Sequence, residues 1–307
     1  MINCNEVMLT RERGNRVYVF VYGTLRRHES NHSLLKDASL VREQAWVEGI
    51  LYETNKGYPA LKEGNGTAYG EVYKIDSDIL SKIDELEDFL EDREKNLFIR
   101  KLKEVETDTG TREAFVYYSE DKALFQEEIP SGDWKVHQFL KEKPESTLYF
   151  AYGSCMDDDR FKKAQVDHHF KDCLGAGVLE GYTMKYLFQV HDGGRGDIIE
   201  DGGTMEGVVY DIPKEAVEYL FTREGVTPGW YRAAFIDLLI NGKTYEDVLT
   251  FIVKVKYDET CPPDHYAREI LRGSLPHVSR SYHEKLQKQL LEIGMTKDQV
   301  ENLLTSS

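Results

Sequence analysis

The chain writes one pattern twice, and the repetition constrains its fold more than any single motif does. Val17-Tyr-Val-Phe-Val-Tyr22 runs into Gly23-Thr24-Leu25-Arg26, and Leu148-Tyr-Phe-Ala-Tyr152 runs into Gly153-Ser154-Cys155-Met156. Both read as aromatic-rich strands that stop at a glycine followed by a hydroxyl residue. Val47-Glu48-Gly49 and Leu179-Glu180-Gly181 each open a further apolar run, and Gly70-Glu71-Val72-Tyr73 is matched by Gly207-Val208-Val209-Tyr210. Glu87 stands seventeen positions after Gly70, and Glu224 stands seventeen after Gly207. Each half continues into an aromatic-x-Arg element, Phe98-Ile99-Arg100 and Trp230-Tyr231-Arg232, which comes later in the first copy because residues 91–95 insert a charged run. Such self-similarity marks a duplicated domain. The expected halves are residues 1–143, with a core over 17–118, and residues 146–307, joined by the charged, proline-bearing Lys141-Glu-Lys-Pro-Glu-Ser146. At 307 residues the chain is long enough for two such cores.

Within each copy the pattern is mostly strand. Residues 233–240 and 248–255 predict a hairpin around Asn241-Gly242, a pair that supplies the positive φ values of a tight turn. Apolar spacing predicts helices over 78–86 and 215–221, the latter with Pro213 just ahead of it. Residues 283–293 read as an amphipathic helix stopped by Gly294, with Leu286, Leu290 and Ile293 on one face. Residues 295–304 read as one more, opened by Thr296 with Gln299 three positions on, a capping-box spacing.

Charge narrows the function. With 55 acidic and 39 basic residues the net charge is -16, which argues against nucleic acid or an anionic membrane as partner. The N-terminus lacks an apolar leader, and no run approaches the ~20 apolar residues of a membrane span, so a cytoplasmic location is expected. The four cysteines, Cys4, Cys155, Cys173 and Cys261, form no C-x-x-C pair and no disulfide framework. His168, His169 and Cys173 lack a fourth ligand, so no metal site is expected there. Gly193-Gly194-Arg195-Gly196-Asp197 lacks the Lys-Ser/Thr of a phosphate loop and reads as a flexible loop near the cleft.

The strand-Gly-hydroxyl unit is where chemistry concentrates. A glycine lets the chain turn sharply, so that successive N–H groups converge on a carboxylate or oxyanion, and Thr24 or Ser154 can add a bond. The other reading is an ordinary strand-ending turn, which its double occurrence weakens. Glu87 and Glu224 close the two helix-like segments, and a partly desolvated carboxylate there is suited to proton transfer, with a pKa of ~6–7. The competing reading is a solvated surface acid, which weighs most on Glu87 with its acidic neighbours. Cys155 reads either as a nucleophile or, more commonly for the residue type, as a buried thiol.

These residues resemble the gamma-glutamylcyclotransferase superfamily. The loop after Tyr152 is similar to that family's Tyr-Gly-Ser-Asn loop, and the resemblance continues through Gly207 to Tyr210, Arg223-Glu224-Gly225, Gly229-Trp230-Tyr231, Pro262-Pro263, Tyr266, Ile270, Gly273, Leu275-Pro276 and Tyr282. The first half, with Tyr22-Gly23-Thr24-Leu25-Arg26, resembles the gamma-glutamylamine cyclotransferase branch over roughly residues 17–118. The resemblance implies an α+β fold of tandem duplicated domains, each a small mixed β-barrel with packed helices and a cavity between the loop and the glutamate-bearing helix. It implies release of an amine, amino acid or peptide from a gamma-glutamyl small molecule with formation of 5-oxoproline, without cofactor or metal. Glu224 and Glu87 are then the expected catalytic residues. Tyr22, Gly23, Thr24, Leu25, Tyr152, Gly153, Ser154 and Cys155 are the expected substrate-binding residues. Two departures stand out: Cys155 replaces the loop Asn, and Thr222-Arg223 precede Glu224 where the family often carries an acid. The alternative is a non-catalytic binding or regulatory module that keeps the pocket in one or both domains.

Overall fold

The computed structural model describes residues 16–305, so Cys4 and the start of the expected first domain lie outside the described residues. The chain divides into two compact units between His137 and Gln138.

The first unit opens with β1 (Val17–Val21), followed by β2 (Ser39–Glu53), β3 (Pro59–Ile75), α1 (Ser77–Leu86), β4 (Ile99–Thr107), β5 (Gly110–Tyr118), the short β6 (Glu127–Glu128) and α2 (Trp134–Glu142). The division between the units falls inside α2. β1 lies antiparallel to β3 and parallel to β5, β4 joins β5 to β2, and β2 pairs back onto β3, which closes the circuit. The two-residue period of a strand sends alternate β1 side chains into different cores. Phe20 and Tyr22 pack with Val72, Val116 and Trp134, whereas Val19 and Val21 pack with Ile79 and Ile83 of α1. That second core fixes the helix against the strand whose end forms the loop.

The second unit repeats the circuit with β7 (Ser146–Ala151), β8 (Asp172–Val190), β9 (Gly193–Pro213), β10 (Tyr231–Ile240) and β11 (Lys243–Val253), closed as a five-stranded barrel. The helices are α3 (Asp158–Lys163), α4 (Lys214–Arg223), α5 (Asp264–Ser274), α6 (Arg280–Glu292) and α7 (Lys297–Thr305). The sequence repeat is also a register repeat: Phe20 stands opposite Val72, and Phe150 opposite Val209. Gly70 and Gly207 have the same steric cause. A Cβ on Gly70 would lie 2.2 Å from the Val21 carbonyl oxygen, and one on Gly207 2.4 Å from that of Ala151.

The hairpin turn has Asn241 at φ 52° and Gly242 at φ 78°, as its sequence predicts. Its second strand begins at Lys243, not at residue 248, because a bulge between Ile236 and Leu238, with Asp247 at φ 50°, keeps the pairing going past a polar stretch. The capping box before α7 forms: Thr296 N–H donates to Gln299 Oε1 at 2.8 Å, and Gln299 N–H to Thr296 Oγ1 at 3.2 Å. Residues 193–197 are not a flexible loop. They open β9 and pair with the end of β8, where Gly194 passes so close to the Thr260 carbonyl that a Cβ would lie 2.2 Å from it.

Candidate active site

Each unit brings its strand-end loop and its glutamate to one cavity of about 320 Å³. In the first unit Tyr22, Gly23, Thr24 and Leu25 line the cavity together with Glu87, Tyr117, Tyr58 and Lys56. In the second, Tyr152, Gly153, Ser154 and Cys155 line it with Glu224, Arg223, Arg160, Arg195, Tyr231 and Tyr266. All ten residues expected from the sequence therefore face one or the other cavity.

The glutamates reach these places by the same helix ending. Glu87 is the C-cap of α1 and Glu224 the C-cap of α4. The residues after them, Asp88 at φ 50° and Gly225 at φ 60°, are left-handed. Phe89 N–H then donates to the Asp84 carbonyl at 2.8 Å and Val226 N–H to the Phe221 carbonyl at 3.1 Å, the long return bond of a Schellman turn. The turn stops the helix and aims the glutamate side chain across the barrel end at the loop. The loop is anchored in turn by its tyrosine: Tyr22 Oη donates to the Tyr117 carbonyl at 2.7 Å, and Tyr152 Oη to the Phe251 carbonyl at 2.5 Å.

Burial pushes the Glu87 carboxyl up to about 8, and the nearby Asp84 carboxylate adds in the same direction. Position at the negative end of a helix also disfavours its ionised form. Glu87 is half-buried and lines the cavity, unlike a solvated surface acid. Asp84 is itself held by the Tyr117 hydroxyl, which donates at 2.7 Å, and by the Arg100 guanidinium. Glu224 is also raised by burial, but here Arg223, Cys155 and Arg160 all pull the other way. Its Oε1 lies 3.3 Å from Arg223 Nε and 3.7 Å from the Cys155 thiol. Burial raises the Cys155 thiol, which Arg223 opposes. Tyr231 Oη donates to the Gly196 carbonyl at 2.8 Å, and Gly196 N–H donates to Tyr266 Oη at 3.0 Å, so β10, β9 and α5 are tied together along one wall.

Several cavity residues escape a reading of the sequence. Arg160 follows the loop by only five residues but has no repeat partner to flag it, and Tyr266, far along the chain on α5, was marked by the resemblance and not by the repeat. Arg195 belongs to a glycine-rich run that resembled a loop, and it stacks over the Tyr266 ring at 4.9 Å. Asp84 carried a weak signal, as the acid three residues before Glu87. Among the described residues no helix is long and apolar enough to cross a membrane.

The described arrangement has close counterparts. Residues 19–136 match the family model of gamma-glutamyl cyclotransferase, AIG2-like. Over 275 residues the chain is 43% identical to YkqA of Bacillus subtilis strain 168, which bears the name of a gamma-glutamylcyclotransferase, covering 89% of this chain and 96% of that one. The crystal structure of YkqA superposes with a TM-score of 0.83 at 41% identity, covering 92% of this chain and all of the other. Over 122 residues the chain is 38% identical to the gamma-L-glutamyl-butirosin B gamma-glutamyl cyclotransferase of Niallia circulans, covering 39% of this chain and 76% of that one.

Proposed function

Because the chain belongs to the gamma-glutamylcyclotransferase family, a family of enzymes, we propose that each cavity converts a gamma-glutamyl amine, amino acid or peptide to 5-oxoproline and a free amine. One observation carries this reading: two separate cavities each join a strand-end loop to a helix-capping glutamate whose carboxyl is raised by burial. The substrate's own alpha-amine attacks its gamma-carbonyl carbon and closes a five-membered ring. Glu87 or Glu224 takes a proton from that amine and returns it to the nitrogen that leaves as the C–N bond breaks. The loop after Tyr22 or Tyr152 receives the alpha-carboxylate or the developing oxyanion. Since attack is intramolecular, holding the substrate curled supplies much of the rate. A site working through a glutamate must be ionised to start, so the first cavity is expected to need a higher pH than the second.

The test is incubation of the full chain with a panel of gamma-glutamyl amines, amino acids and peptides, followed by assay of 5-oxoproline. Turnover of one or more members is expected. Binding of those compounds, seen as a raised melting temperature, without any cyclic product would instead make both cavities binding modules.

A further inference from the structure

Arg223 immediately precedes Glu224, yet its guanidinium turns back over the end of α4 onto the loop after β7. Its Nε lies 3.2 Å from Cys155 Sγ and 3.3 Å from Glu224 Oε1, while Nη2 donates to Ser154 Oγ at 3.2 Å. One planar cation thus touches three groups that line the second cavity. Leu86 holds the corresponding place before Glu87, and an apolar side chain can make no such tie.

We propose that Arg223 is a positioning residue of the second cavity, fixing the Glu224 carboxylate against the Ser154–Cys155 loop so that base and binding loop keep one separation. The proposal rests on reading Glu224 as the proton acceptor. A proton acceptor displaced by an ångström loses much of its value, and a planar guanidinium with several donors restrains orientation better than a point charge does.

The other groups around Glu224 do not duplicate this role. Cys155 follows β7, and Tyr149 and Tyr152 come from β7 and its end; Tyr231 comes from β10 and Tyr266 from α5. His191 and Arg195 line the same cavity from the β8–β9 turn and from β9. Arg160 of α3 is the other cation acting on Glu224, but its Nη1 is engaged by Glu269 Oε1 at 3.0 Å. Arg223 therefore supplies both a charge 3.3 Å from Glu224 Oε1 and, among the described side-chain hydrogen bonds, the one tie to the Ser154 hydroxyl.

The experiment uses the full chain carrying Glu87→Gln, so that the first cavity's glutamate neither titrates nor turns over. Arg223→Leu, which copies the first unit, and Arg223→Lys are compared in that background. Three quantities are measured: the Glu224 titration midpoint by carbon NMR of 13C-glutamate-labelled protein (assigned with Glu224→Gln), the pH profile of 5-oxoproline formation, and the melting temperature. Arg223→Leu is expected to raise the Glu224 midpoint and the acid limb of kcat/KM together by about one pH unit or more. It is also expected to lower the pH-independent kcat about tenfold. Arg223→Lys should restore the midpoint while leaving kcat low, because an ammonium keeps the charge but not the planar fork. A changed melting temperature with unmoved midpoint and kcat would overturn the proposal, as would a change confined to KM. A moved midpoint without 5-oxoproline from any variant or the parent would sink the cyclotransferase reading and leave Arg223 as the residue that fixes Glu224.

Discussion

The two cavities hold the same glutamate on the same turn and surround it with opposite charge. Beside Glu87 stand an acid, Asp84, and an apolar neighbour, Leu86; beside Glu224 stand Phe221 and Arg223 at those two positions. The partner of Asp84 changes with it. Tyr117 donates to Asp84, whereas its register equivalent Phe251 meets Phe221 edge-on at 5.5 Å. A second exchange of the same kind lies under the loops. Buried Arg26 pairs with Glu71 at 3.1 Å and Asp133 at 2.8 Å, and Met156 and Val208 take the places of Arg26 and Glu71 in the second unit. A fold can thus fill one steric position with a polar pair or an apolar pair, provided both members change together, since a buried charge left alone is what costs most.

The largest expected effect falls on the glutamates themselves. In the full chain, Glu87→Gln and Glu224→Gln should each cut turnover at their own cavity by roughly 10²–10⁴-fold, with substrate affinity much less changed. Substrates that respond to only one of the two variants would show that the cavities differ in use. If one variant leaves every substrate unaffected, its domain is a non-catalytic partner.

The polar-for-apolar exchange is tested by stability. Arg26→Met alone strands two buried carboxylates and should cost about 3–5 kcal/mol in the unfolding of the first unit. Combining Arg26→Met with Glu71→Val and Asp133→Asn, which brings this place closer to the second unit, should recover most of that loss in denaturant titration. A triple variant less stable than the single one would mean that the cluster is stabilising in its own right.

Glu87 should also write a pH dependence into stability. Its carboxyl is raised to about 8 in the folded chain, against ~4.3 in an unfolded one. Between these values the folded state holds the proton more tightly. The stabilising contribution is therefore complete below the lower value and lost as pH climbs through the upper one. Glu87→Gln keeps a neutral side chain throughout, so its melting temperature should gain on the parent from pH 5 to pH 8 and then level off. A gap that stays constant across this range would place the Glu87 carboxyl in ordinary solvent.

The smallest effect is expected from Asp84→Asn. Removing a like charge should shift the acid limb of the first site's pH profile downward, but by less than about one pH unit, because burial is the larger cause. The profile is read in a Glu224→Gln background. An upward shift would mean that Asp84 serves Glu87 through Arg100 and not as a repelling charge.

Much of this was legible in the sequence, and for definite reasons. Gly70 and Gly207 recur because a strand must pass a neighbouring carbonyl without a Cβ between them. The equal spacing to the glutamates reflects a strand end, one helix and a Schellman turn of fixed length. The glycine-rich run at 193–197 misled, because the same residues that free a loop also let β9 pass under the Thr260 carbonyl. The bulge at Asp247 was hidden too, since a polar stretch inside a strand looks like a longer turn.

The sequence by itself determined that the chain folds twice on one plan, and that each copy ends a helix with a glutamate seventeen residues from a strand glycine. These are properties of local periodicity and chain length, which act within a few dozen residues. Only the tertiary structure decided the charge that each glutamate meets. Arg223 adjoins Glu224 in the chain, but what it does depends on the loop at Ser154 coming back within 3.2 Å of its guanidinium. Asp84 is held by Tyr117 and Arg100 from strands well downstream. Such fields fall off over ångströms in space and are indifferent to separation along the chain.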